Sequence, residues 1–350
     1  MKRVGNIDGR KLYDCICDED NIRLAIREAC KDHHRDRAVQ AMKADPEPYV
    51  QGIRDILTSE SFHYGRFKHR IIRERGKDRK LCYTRTYPDR VIQHAVFNIV
   101  GPILHREVGE TSFAGVKGRG LHRGARQVAT DLQCDPRGTR YCAKLDIYHF
   151  FDSVDRHILF DMLRSRLKCR RTLDLLHRII FQCPGKRGLP IGLFSSQVLS
   201  VFFLSGLDHY VKETLHAPYY FRYMDDIALL SNSKAKLWAY IRYIRRFIHG
   251  IGLRMKGNYA VFPVEKRRLD FMGYVSDHRQ TMIRKRTKIS FIRACNRILR
   301  AVRRREPVRP KMFKSLISYE GMLSWCSDRK LADKYLGRVD RAMAIGVEAI

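Results

Sequence analysis

Phe221-Arg222-Tyr223-Met224-Asp225-Asp226-Ile227-Ala228-Leu229-Leu230 sets two adjacent carboxylates in the middle of an apolar, aromatic and β-branched run. Apolar flanks around a polar pair suit two short strands joined by a tight turn, since Asp tolerates turn geometry and the flanks favour strand. Asp225 and Asp226 then stand at a hairpin tip. An isolated Asp-Asp pair is a common turn filler, so the pair gains meaning only beside a second acidic strand end.

Tyr141-Cys142-Ala143-Lys144-Leu145-Asp146-Ile147-Tyr148-His149-Phe150-Phe151-Asp152 supplies that strand end. Tyr141, Ala143 and Leu145 alternate with Cys142, Lys144 and Asp146, a strand pattern that delivers Asp146 at its end. Side by side, the two strands gather the carboxylates of Asp146, Asp225 and Asp226. Like charges that close repel unless a cation sits between them, and hard oxygen ligands suit magnesium. In a two-metal site the ions sit about 3.5–4 Å apart and stabilise the attacking and leaving oxygens of an in-line displacement. Nucleotide polymerisation uses that chemistry.

Composition points the same way. The 350 residues are 44% hydrophobic, enough for a full core of one large or two to three small domains. A net charge of +32, from 69 Lys and Arg against 37 Asp and Glu, exceeds what solubility needs and indicates a polyanionic partner. Nucleic acid fits better than a membrane surface, because no apolar run approaches the length of a spanning helix and the cations are spread along the chain. The 10 cysteines show no C-x-x-C pair and no zinc-type cluster with histidine, which reads as reduced, half-buried thiols. Met1 to Asp8 lacks the apolar core of a signal peptide, so a cytoplasmic protein is expected.

The FRYMDD stretch, the KLDIYHFFDS stretch and Gly188-Leu189-Pro190-Ile191-Gly192-Leu193-Phe194-Ser195-Ser196-Gln197, in their order and spacing, resemble the palm motifs of reverse transcriptases. Ile191 to Gln197 more narrowly resembles the reverse transcriptases of diversity-generating retroelements, most of which carry Gln-Gly at the start and Ser-Pro at the end of this motif. Asp89-Arg90-Val91-Ile92-Gln93-His94 and Leu269-Asp270-Phe271-Met272-Gly273-Tyr274 add to that likeness.

The resemblance implies an α+β right-hand polymerase fold with fingers, a palm of antiparallel sheet backed by helices, and a short helical thumb. Residues 1–135 would form an N-terminal extension and the fingers, 136–280 the palm with a fingers-palm insertion at about 160–200, and 281–350 the thumb. It implies an RNA-directed DNA polymerase that makes error-prone, adenine-mutagenised cDNA from a template-repeat RNA. Asp146 and Asp225 would bridge two Mg2+ ions, replaceable by Mn2+, with Asp226 in support and the Ile147 carbonyl completing the metal set. Template RNA, the RNA–DNA duplex, deoxynucleoside triphosphates and a small basic oligomeric accessory variability protein are the implied partners, and no membrane is among them. Rival readings are a retron, defence-associated or group II intron-type reverse transcriptase, and, outside the class, a catalytically silent RNA-binding scaffold. The three carboxylates count against the scaffold.

Other segments fall into place around these motifs. Tyr64, Arg66, Lys68, Arg70, Arg73, Arg75, Lys77, Arg79 and Lys80 interleave on a strand pair whose cations can neutralise phosphates. By resemblance this is the fingers hairpin, and Arg79 or Lys80 contacts the incoming triphosphate. Phe151 lies where the family places an aromatic gate against the sugar C2′, while one of Phe150 and Phe151 is core. Ile191 replaces an amide with a branched alkyl group that cannot hydrogen-bond, removing about 1–3 kcal/mol of discrimination. Gly192, Gln197 and Met224 complete the implied nucleotide set, and Phe271, Met272, Gly273 and Tyr274 the primer grip.

Lys117 and Arg119 sit in a Gly-rich loop suited to template-backbone contact, and Arg284, Lys285, Arg286, Arg293 and Arg297 on a thumb helix packed through Ile292, Cys295, Leu299 and Val302. The spacing predicts helices over Asn21 to Ala38, from Asp89, over Ile158 to Ile180, Val198 to Val211 and Lys234 to Ile248, with Trp325 and Tyr335 as core of a final helical stretch. Tyr259 stands near where many relatives carry a Lys, so the sequence assigns no proton donor to pyrophosphate. No nuclease or RNase H-like segment is evident after the thumb, so primer cleavage and RNA removal are expected from elsewhere.

Overall fold

The structure, a computed structural model, describes residues 11–31, 36–74 and 77–348. Met1 to Asp8, Arg75 and positions 32–35 of the stretch read as one helix from Asn21 lie outside the described residues. In chain order the elements are α1 (Leu12–Cys17), α2 (Glu19–Ala29), α3 (Arg37–Ala44), α4 (Glu47–Thr58), β1 (Lys68–Glu74), β2 (Lys77–Tyr83), α5 (Val91–Arg106), α6 (Leu121–Cys134) and β3 (Tyr141–Asp146). There follow α7 (Phe150–Ser153), α8 (Arg156–Arg166), α9 (Arg170–Phe181), α10 (Phe194–Phe203), α11 (Ser205–His209), β4 (Tyr219–Tyr223), β5 (Asp226–Ser231) and α12 (Lys234–Gly250). The last are β6 (Ala260–Pro263), β7 (Leu269–Phe271), β8 (Tyr274–Ser276), β9 (Thr281–Ile283), α13 (Lys285–Arg303), α14 (Pro310–Leu323) and α15 (Arg329–Glu348). They form two interleaved compact units, the first from Met1–Lys117, Asp146–His216 and Arg242–Gly257, the second from Gly118–Leu145, Ala217–Ile241 and Asn258–Ile350.

The first unit is built on α5, which packs against α1, α2 and α10. Its residues from Val91 to Phe97 are all buried, which marks a helix covered on every side. Asp89 already lies in a helical turn, the π-type turn Thr86–Arg90 that runs directly into α5, and its buried carboxylate accepts the Gly65 N–H. Asp18 caps α2 through the N–H groups of Asp20 and Asn21, and Ile22, Ala25 and Ile26 face inward. The run from Ile158 to Ile180 divides into α8 and α9 at Leu167 to Cys169. The run from Val198 begins earlier, at Phe194, and divides into α10 and α11. The β1–β2 ribbon pairs antiparallel from Lys68↔Tyr83 to Glu74↔Lys77 and exposes Lys68, Arg70, Arg73, Arg79 and Lys80.

The second unit carries a four-stranded sheet in the order β4-β5-β3-β6 and a three-stranded antiparallel sheet β7-β8-β9. Ile227, Ala228, Leu229 and Leu230 of β5 are buried without a break, the pattern of a strand covered on both faces. Its C-terminal helices α13, α14 and α15 pack on one another. The buried stripe of α13 is Phe291, Ala294, Cys295, Ile298 and Ala301, rotated from the expected one, which leaves Ile292, Leu299 and Val302 half-buried. Trp325 and Tyr335 are half-buried as well rather than core. Seven of the cysteines are buried and all described ones are free thiols. No helix of the described residues is long and apolar enough to cross a membrane.

Candidate active site

The β4–β5 hairpin pairs Tyr223 with Asp226, leaving Met224 and Asp225 as a two-residue connection. Met224 adopts φ 54°, a left-handed conformation that costs a side-chain-bearing residue on the order of 1–2 kcal/mol. The buried core of β5 holds that strained turn in place, so Asp225 and Asp226 are half-buried at the end of a rigid strand. In the sheet, β5 lies next to β3, the strand that ends at Asp146.

Beyond β3 the first unit takes over the chain. Ile147 bridges Met255, Tyr148 N–H donates to Arg254 O at 2.7 Å and Lys256 N–H to Asp146 O at 2.9 Å. This short ladder leaves the Ile147 carbonyl out of its hydrogen bonds. It also brings the Lys256 ammonium onto Asp146 Oδ2, with both side chains 31% exposed. Asp146 Oδ1 is buried and has no hydrogen-bond partner among the described residues. A desolvated, unpaired carboxylate oxygen is costly and is the donor type a hard divalent cation takes, so this residue fits a ligand of such a cation. Among the described residues no group of three His, Cys, Asp or Glu side chains is gathered for a metal ion. Lys256 is not singled out by the sequence, in which the position expected for a lysine falls near Tyr259. The available signal was the lysine that follows the strand-like Leu253-Arg254-Met255.

One turn further, α7 separates two neighbours the sequence left open: Phe150 is 2% exposed and belongs to the core, whereas Phe151 is half-buried. Leu189 N–H donates to Phe151 O at 2.7 Å and Gly188 N–H to Val154 O at 2.9 Å, docking the loop 188–193 on the α7 turn. The same loop meets the ribbon, where Cys82 N–H donates to Ile191 O at 2.7 Å. Gly192, at φ 113°, approaches so closely that an added Cβ would lie 2.5 Å from Cys82 O.

From behind, buried Gln93 of α5 accepts the Ser195 N–H at 3.0 Å, and the His94 ring stacks on Phe194 with centroids 4.0 Å apart. Burial and the nearby Arg90 push His94 down to about 4, and its Nε2 has no hydrogen-bond partner among the described residues. Beside this clamp opens a cleft of about 500 Å³ lined by Tyr83, Thr84, Arg85, Gly192, Phe194 and Gln197 among others. Gln197 is exposed into it and Ile191 is half-buried. Arg79 and Lys80 stand opposite Ile72 and Ile71, on opposite faces of β2, with Lys80 on the face of buried Cys82.

In the second unit Phe271 pairs with Tyr274 around Met272 (φ 47°) and Gly273 (φ 83°), the two positive angles of a type I′ hairpin. Phe271, Met272 and Tyr274 are buried. The Tyr274 hydroxyl donates to Met322 O, accepts from Trp325 Nε1 and bonds His122 Nδ1 at 2.9 Å, and burial pushes it up to about 12. Arg284 is drawn into an ion pair with Asp270 of β7. Lys285, Arg286, Arg293 and Arg297 line the exposed face of α13, Lys117 is exposed and Arg119 half-buried.

The family described as reverse transcriptase (RNA-dependent DNA polymerase) matches residues 72–276, more than half of the chain. Protein YkfC of Escherichia coli (strain K12) is 28% identical over 177 residues, which are 47% of this chain and 45% of that protein. The chain thus spans less than half the length of this curated relative. Telomerase from Candida albicans, in complex with a fragment of telomeric RNA, superposes with a TM-score of 0.50 at 11% identity, covering 83% of this chain and 61% of that one. Apo telomerase from Candida tropicalis gives 0.48 at 12% identity over 61% of this chain and 47% of that one. The likeness to the Candida albicans structure is one of fold, the right-hand polymerase fold.

Proposed function

Since the chain belongs to the reverse transcriptase family and is an RNA-directed DNA polymerase, we propose that it copies a template-repeat RNA into error-prone cDNA for a diversity-generating retroelement. The observation that carries the catalytic part is the position of Asp146. It ends β3 with a buried, unpartnered Oδ1, in the strand next to the one Asp226 opens. In this reading Asp146, Asp225 and Asp226 hold two magnesium ions, with Ile147 offering its carbonyl and manganese able to replace them. When bound, the ions acidify the primer 3′-hydroxyl and neutralise charge on the transferred phosphate and pyrophosphate.

The chain's own groups do the positioning. Arg79 or Lys80 steadies the triphosphate, and Phe151 fills the space a ribonucleotide 2′-hydroxyl needs. Gly192, Gln197 and Met224 frame the base pair, and the β7–β8 turn supports the primer end through its backbone. Lys117, Arg119, Arg284 and the exposed cations of α13 hold the duplex. Residues 1–135, 136–280 and 281–350 serve as fingers, palm and thumb. Low accuracy follows from Ile191, whose side chain offers the incoming nucleotide no hydrogen bond. That residue and Gln197 are what favour the retroelement over retron, defence or intron enzymes. A cytoplasmic setting and a small basic oligomeric partner belong to the same reading.

Primer extension on an RNA template of even base content tests both levels. Wild type extends with errors concentrated opposite adenine, and Asp225→Ala does not extend. Equal incorporation by the two proteins removes the catalytic assignment, and errors spread over all four template bases remove the retroelement.

A further inference from the structure

From Ile227 to Val264 the chain contains not one Asp or Glu, although it carries Lys234, Lys236, Arg242, Arg245, Arg246, Arg254 and Lys256. Surface helices ordinarily intersperse both signs, so an acid-free stretch concentrates field instead of balancing it. Arg242, Arg245, Arg246 and His249 of α12 fall at i, i+3, i+4 and i+7, which is one face of a helix. All four are exposed. Arg254, from the ladder strand that follows, joins them across a bowl of about 340 Å³ whose apolar part is Leu253 and Met255. Its guanidinium lies 4.7 Å from the centre of the Tyr148 ring, which fixes its direction. None of the five pairs with a carboxylate among the described residues.

Packing so many like charges around a concave surface is unfavourable unless an anion completes it. Arginine rather than lysine dominates, and its planar fork binds phosphate oxygens two at a time. From Arg242 to His249 the row extends about 10 Å, at about 1.5 Å per residue. That reach spans roughly three phosphates at the ~3.4 Å rise of one strand. A lone triphosphate would leave part of the row unmatched. We propose that this bowl, lined by residues other than the carboxylates and the 188–197 loop, is a docking site for the phosphodiester backbone of RNA, and that it holds a segment of the template molecule that is not being copied. The inference takes from the family only that the enzyme handles RNA; it does not depend on which element supplies that RNA.

The test measures binding of a labelled single-stranded RNA of mixed sequence, without primer, across a salt series. Arg242→Ala/Arg245→Ala/Arg246→Ala is expected to weaken binding about tenfold or more and to lower the slope of log affinity against log salt by about 2. The corresponding triple Lys variant, which keeps the charge, is expected to keep most of the slope. Wild-type affinity and slope in the Ala variant overturn the proposal. A higher deoxynucleotide KM with unaltered RNA affinity assigns the bowl to a triphosphate and overturns it too. If the triple Ala variant melts early, Arg245→Gln, which keeps most of the side chain, is read the same way for a slope change of about 1. Asp225→Asn is measured alongside: wild-type extension there removes the catalytic reading whatever the RNA affinity, so failure of that reading is distinguished from failure of this one.

Discussion

The ammonium of Lys256 holds one carboxylate oxygen of Asp146 while the other is buried without a partner. A lysine in that position neutralises the aspartate when no metal does, and so competes with a metal for it. Lys256→Met is therefore expected to lower the Mg2+ concentration for half-maximal primer extension several-fold. A metal titration giving an equal or higher requirement than wild type would remove this account of the pair.

Adjacent rings at Phe150 and Phe151 separate stability from selectivity. Phe151→Ala should incorporate ribonucleotides that wild type rejects, with little loss of stability. Phe150→Ala should cost about 3–5 kcal/mol, the usual penalty for emptying a buried aromatic site. Competition between deoxy- and ribonucleotides, run beside urea unfolding of both variants, shows whether the two effects divide this way.

Gly192 is fixed by its neighbour. A methyl group there would meet Cys82 O, and φ 113° is strained for any side chain. Gly192→Ala should shift the loop off the ribbon, costing about 1–3 kcal/mol and raising the deoxynucleotide KM. A wild-type unfolding midpoint with a wild-type KM would show that the approach is not needed.

His94 makes stability depend on acid. Its folded value near 4 lies below the ordinary value of 6.5, so the unfolded chain binds its proton first. Stability from this site is full above about pH 6.5 and falls as the pH drops toward 4, by about 3 kcal/mol in all. His94→Phe, which keeps a ring against Phe194, should flatten the loss of melting temperature between pH 7 and pH 5. Parallel curves for the two proteins would reject the assignment.

If Ile191 lies beside the base pair, as the proposed function has it, Ile191→Gln supplies an amide there and is expected to lower the error rate by about one decade. Sequencing of cDNA from both proteins decides it, and unchanged error frequencies would leave Ile191 without a part in fidelity.

The hairpin of Asp225 and Asp226 was legible because a β-branched and aromatic run around an acidic pair has few other conformations. The strand of Asp146 was legible because its alternation is local. The relation of Lys256 to Asp146 was not, since 110 residues separate them and no periodicity reports such a contact. Phe150 and Phe151 stayed ambiguous because a helix of four residues has no period to read. Gln93 and His94 stood in the sequence only as part of the Asp89-to-His94 motif, and the pairing with Ser195 and Phe194 reveals them as supports of the 188–197 loop. The stripe of α13 was misplaced because apolar residues lie on more than its packed face, and packing against α14 and α15 decides which are covered.

The β1–β2 ribbon shows Ile71 at 69% exposure and meets the loop through the backbone bond at Cys82. Two strands without a hydrophobic face are marginal by themselves. Amide protons of Lys68 to Glu74 and of Lys77 to Lys80 should therefore exchange with solvent early, long before those of β5, while Cys82 is retained. On the proposed reading, in which Arg79 or Lys80 meets the triphosphate, substrate binding would then have to steady strands that are anchored at one end.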